Sequence, residues 1–214
     1  MAEKMSKAGR AFSIPAENPP VPGCTVSQRE TDAIYHFSLA PGTDISPEAY
    51  PAHKLWLVHT GEMLVQPYGT PLHGGESYLT PTDTPIGCST ERGCIYTEIT
   101  LRSDAKMNPI LEAGKVFALK DLIPYQEGRI VNMDLINEPK LKYVLMSFDA
   151  GTGLSEHAAP GEALVFALDG EGVIGYEGKD YPIHAGETFK FAKNGMHAVK
   201  ASGRFKMALL LTLE

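Results

Sequence analysis

Two imidazoles carry the chemistry with most reach in this chain. His157 and His197 both sit in the C-terminal half. Brought together in an apolar setting, a pair of imidazoles suits a borderline divalent cation such as Zn, Ni, Fe or Mn. Two are too few for a tight site, because zinc generally takes three or more protein ligands. Glu162 is the nearest carboxylate in sequence, and Pro160-Gly161 just before it offers a turn or bulge that would swing it toward the pair. Without a metal, the same histidines would serve as general acid and base, or hydrogen-bond a bound acid. Nothing in the spacing suggests a Ser-His-Asp or Cys-His arrangement. Residues 172–178, GVIGYEG, are turn-like and lack the phosphate-loop pattern.

These residues lie in short runs of β-branched and aromatic residues punctuated by Gly, Pro, Asp and Asn, the signature of strands and tight turns. The runs repeat. IYHFSLAPG, HKLWLVHTGEMLVQPYG, GGESYLTPTDTPIG and CIYTEITL of the first half reappear in order as KYVLMSFDAG, EALVFALDGEGVIGYEG, AGETFKFAKNGMHAV and RFKMALLLTL. Gly61-Glu62 lies 109 positions before Gly170-Glu171, and Gly75-Glu76 lies 111 before Gly186-Glu187. Phe12 and Gly23 lie 105 before Phe117 and Gly128. A period this long means duplicated domains rather than a solenoid. The expected boundaries are 11–103 and 116–214, joined by a connector over 104–115 with a short helical turn. Sheets of such strands must close into barrels or stack to bury their apolar faces.

Composition narrows the classes. The chain has 214 residues, is 43% hydrophobic and carries a formal net charge of −7. It offers no Lys/Arg cluster, so nucleic acid is not an expected partner. The polar opening MAEKMSKAGR leads into no apolar stretch, and no run approaches a membrane span, so a cytoplasmic protein without membrane contact is expected. Cys24, Cys88 and Cys94 are odd in number, lack metal-type spacing and read as ordinary buried or half-buried thiols.

With the repeat in hand, the chain resembles the cupin superfamily over nearly its whole length. The family pattern is Gly, five residues, His-x-His, three or four residues, Glu, six residues, Gly, followed downstream by Gly, five residues, Pro-x-Gly, two residues, His, three residues, Asn. In the second copy Gly151 leads to His157, then Ala159 and Ala163 stand at the next two ligand positions before Gly170. Gly186 leads to Ala192 and Asn194 at the Pro and Gly positions, then to His197, with Ala201 where Asn is usual. In the first copy Glu48, Tyr50, Lys54 and Ile86 occupy the four ligand positions within the frame of Gly42, Gly61, Gly75 and Pro81.

The resemblance implies an all-β fold of tandem double-stranded β-helix barrels, a cupin jelly roll repeated as a bicupin. It puts Ala163, Val165 and Ala167 inside the second barrel, leaving room for a pocket that His157 and His197 enter from facing strands. A divalent metal (Zn, Fe, Mn or Ni) would be held there by His157 and His197 with Glu162, one residue off the family's glutamate position, or water. In the first copy Lys54 and Trp56 are expected inward, with a Glu48–Lys54 ion pair in place of a metal. Trp56, Tyr50 and His53 would line any retained pocket. His36, His53, His59, His73 and His184 otherwise read as strand or loop histidines. A homodimer is implied. Two functions stay open: a binder of, or enzyme acting on, a small polar or acidic molecule in the C-terminal barrel, and a non-catalytic scaffold or sensor. The cupin barrel hosts many chemistries, so fold does not choose between them.

Overall fold

Gly61 and Gly170, the repeated glycines of the sequence, sit where one long strand passes from one sheet to another. In the computed structural model, which describes residues 7–213, regular structure is almost entirely β-strand. Lys54–Gln66 pairs through its first half with Cys94–Thr100 and through its second with Ile86–Thr90 and Thr70–His73. Glu162–Tyr176 does the same, pairing first with Phe205–Thr212 and then with Met196–Lys200 and Lys179–His184. Each long strand is bulged at the crossing, between Val58 and Thr60 in one and Ala167 and Asp169 in the other. The glycine there has a positive φ, 81° at Gly61 and 70° at Gly170. A Cβ would come 2.1 Å from Gly93 O or 1.9 Å from Arg204 O. Only glycine allows both the backbone turn and the close approach.

The chain divides into two units. Of the described residues, one holds 14–104 and 111–118, and the other holds 7–13, 105–110 and 119–213. This differs from the expected boundaries at the opening of each copy. Ala11–Phe12 pairs antiparallel with Thr188–Phe191, and Val116–Phe117 pairs with Ser77–Leu79. Each copy's first strand therefore adds to the edge strand of the other copy's sheet, and covering an edge is what such a strand is for. The expected connector has no helical turn: Lys106–Met107 pairs with Ile136–Asn137.

The architecture is all-β, with curled sheets of the double-stranded β-helix (jelly-roll) kind. Alternation fixes what faces inward. In the second unit Ala163, Val165 and Ala167 join Phe148, Phe189, Phe191, Phe205, Ile174 and Tyr176 in one core. Burial of each large side chain there contributes about 1.5–3 kcal/mol. In the first unit the core is Leu39, Trp56, Val58, Met63, Val65, Leu72, Tyr78, Ile86, Cys88, Cys94 and Tyr96. The turns repeat as closely as the strands. Glu76 accepts the His73 amide and Glu187 the His184 amide, both at 2.8 Å. Asp83 and Asn194, at the usual Gly of the Pro-x-Gly corner, keep its left-handed backbone with φ of 53° and 64°. Asp and Asn tolerate that region better than other side chains. No helix among the described residues is long and apolar enough to cross a membrane.

Candidate functional site

His157 and His197 meet. They are register partners between Gly153–Ala158 and Met196–Lys200, their ring centroids lie 4.2 Å apart, and the planes are tilted by 53°. His197 alternates with Val199 and Ala201, both core residues, so it points into the barrel. It stacks on Phe191 at 4.0 Å between centroids and is 5% exposed, whereas His157 opposite it is exposed to solvent. The pair therefore bridges the core and the barrel rim.

Backbone carbonyls hold both rings. His157 Nδ1 is 2.9 Å from Ser155 O, and His197 Nδ1 is 3.1 Å from Gly195 O. A carbonyl oxygen only accepts, so Nδ1 carries the proton in each neutral ring. Both Nε2 atoms are left with a lone pair, and neither hydrogen-bonds another described residue. Burial pushes the His197 pKa down, the Gly195 carbonyl pulls it back, and the neighbouring His157 lowers it further.

Glu162 does not join them. The ladder runs in regular register from Glu162↔Thr212 through Ala167↔Met207, so no bulge rotates the strand at Pro160-Gly161. Glu162 alternates with the inward Ala163 and takes the opposite face, where its Oε2 lies 3.1 Å from Nζ of the buried Lys190. Among the described residues no three His, Cys, Asp or Glu side chains are grouped to hold a metal ion. Two imidazoles fall short of the three or more protein donors a resident zinc requires. The expected divalent-metal set of His157, His197 and Glu162 therefore does not fit.

The first unit repeats the scaffold with other chemistry. Glu48 and Ile86 are register partners as His157 and His197 are. The expected Glu48–Lys54 ion pair is replaced by another. Lys54 Nζ lies 2.8 Å from Glu98 Oε1, and Trp56 Nε1 donates to Glu98 Oε2 at 2.8 Å. The Lys54 ammonium also sits 3.7 Å above the Tyr50 ring centre. Tyr50 Oη donates to Glu48, and that bond, with burial, pushes the phenol up to about 12. His53 stays outside this group and bonds Thr80 O through Nδ1 at 2.6 Å. Glu98 was legible in principle. Cys94, Tyr96 and Glu98 alternate on one face of CIYTEIT, and a carboxylate on a core face requires a partner. Cys88 and Cys94 are buried, Cys24 is exposed, and burial pushes both buried thiols up to about 12, where they are inert.

Residues 144–213, the stretch holding both histidines, match the cupin domain model. That stretch of the second unit is similar to the cupin domain. The whole chain is similar to a cupin 2 conserved barrel domain protein from Leptotrichia buccalis, with 27% identity, a TM-score of 0.83, and coverage of 97% of this chain and 98% of that one. It shares the cupin fold with a salicylate 1,2-dioxygenase from Pseudaminobacter salicylatoxidans at 11% identity, a TM-score of 0.62, and coverage of 88% and 76%. AerE from Microcystis aeruginosa matches at 13% identity and a TM-score of 0.50, covering 89% and 92%. No curated protein sequence matches the chain.

Proposed function

We propose that the chain is a bicupin that binds a small polar acid at the rim of its C-terminal barrel, with His157 and His197 as the polar grip. The observation that carries this reading is the pair of unprotonated Nε2 atoms, fixed by two carbonyl bonds on facing strands. Such a pair accepts hydrogen bonds from a hydroxyl or carboxyl group. Burial disfavours a proton on His197, and an imidazole that does take one up pairs with a carboxylate. Phe191 beneath His197 and the small Ala159 and Ala163 give the apolar floor beside which a short carbon skeleton would lie.

Titration of the intact chain with small hydroxy acids, glycolate first, tests this by calorimetry. Wild type should bind one equivalent, and H157A/H197A should lose affinity by roughly tenfold or more, the worth of one to two charge-assisted hydrogen bonds. Equal affinity in the double variant would refute the assignment. The single H157A change removes an exposed side chain and leaves the core intact, so it separates lost binding from lost folding.

A further inference from the structure

The first barrel contains a cavity of about 210 Å³ whose walls are neither filled nor purely apolar. Phe37, Trp56, Tyr96 and Ile86 supply flat apolar surface, with Phe37 and Tyr96 stacked at 5.0 Å and 7°. Lys54 and Glu98 face the same space. Engineered apolar cavities of ~150 Å³ hold benzene, so this volume takes one aromatic ring and a small polar group.

Donor counting gives the polar group its role, that of an acceptor. An ammonium has three N–H donors. Lys54 commits one to Glu98 and rests on the Tyr50 ring. Each Glu98 oxygen already accepts a bond, one from Lys54 and one from Trp56. The cavity therefore has a donor to spare, and the best partner for a spare ammonium N–H is a charged acceptor. We infer that the first barrel is a second, metal-independent binding site, in which Lys54 holds the carboxylate of a single-ring aromatic acid against Trp56 and Tyr96. This goes beyond the C-terminal reading and does not rest on it.

The chain has one tryptophan, Trp56, and it lines this cavity. Its fluorescence reports the first barrel directly. Benzoate added to the intact chain should change the emission saturably. The K54M variant should weaken binding by roughly tenfold or more, and H157A/H197A should leave it unchanged. Loss of Lys54 leaves Glu98 half-paired, so K54M risks the fold. T84F, which fills the cavity without touching the ion pair, gives the second test and should abolish the response. Benzyl alcohol, which keeps the ring without the charge, should bind more weakly than benzoate. The inference is overturned if benzoate gives no saturable change, if benzyl alcohol binds as tightly, if T84F leaves binding intact, or if the response disappears in H157A/H197A.

Discussion

The two barrels share a scaffold and exchange their interiors. Where the first has Trp56 opposite Glu98, with Lys54 two residues earlier, the second has Val165 opposite Leu209, with Ala163 two residues earlier. Where the second has His157 opposite His197, the first has Glu48 opposite Ile86. The clustered polar groups bridge core and rim in the second barrel and lie in the interior of the first. The bulges, corners and turns are the same in both, so the backbone permits either arrangement and the side chains decide. Ionisable groups on an inward face are costly unless paired, and each barrel meets that cost differently. The first pairs a cation with an anion. The second places one imidazole there, His197, whose charged form burial disfavours.

The largest test of this comparison is to give the first barrel the second barrel's residues. K54A or E98L alone strands a half-buried charge and should cost about 3–5 kcal/mol in chemical denaturation followed by Trp56 emission. K54A/E98L should cost less than the sum of the two singles by at least about 1 kcal/mol, since no charge is then left alone. Additive costs would mean that the two side chains do not act as a pair.

Next in size are the glycines the barrels hold in common. G61A and G170A each force a Cβ into a backbone carbonyl at positive φ and should cost at least about 1–3 kcal/mol. The two values should be alike. A large cost in one barrel only would show that the crossing bulge is not equivalent in both.

A smaller effect follows from pH. Burial lowers the pKa of His197 in the second barrel. In the first, burial and then the nearby His36 lower that of His59, which shares the Thr97 hydroxyl with His36 at 2.6 and 2.8 Å. In each case the unfolded chain binds the proton more readily, so stability is full at pH values above the unfolded histidine pKa of about 6.5 and falls as pH drops below it. H59N should flatten this slope in the first barrel's unfolding and H197N in the second's. A slope unchanged in both variants would remove these rings from the pH response.

Much of this was written in the sequence. The repeated glycines sit at the crossings and turns, and strand alternation put Ala163, Val165 and Ala167 on one face, which the family resemblance turned inward and the core confirms. Both concern local geometry, which neighbouring residues specify. The misreadings concern partners chosen across the sheet. Glu162 was open to a bulge at Pro160-Gly161, yet a regular ladder holds it on the face of Lys190. Lys54 has Glu48 six residues away and chooses Glu98 on an adjacent strand. The opening strands Ala11–Phe12 and Val116–Phe117 have only two residues each, too short to signal which sheet they would join.

The most direct test of the central claim is the protonation state of the facing pair. Nitrogen-resolved imidazole spectra of the intact chain near pH 8 should show His157 and His197 protonated on Nδ1 with bare Nε2, and glycolate, whose hydroxyl is its one donor at that pH, should shift an Nε2 resonance. Protonation on Nε2 in either ring, or glycolate leaving both resonances in place, would contradict the rim of the second barrel as the binding site.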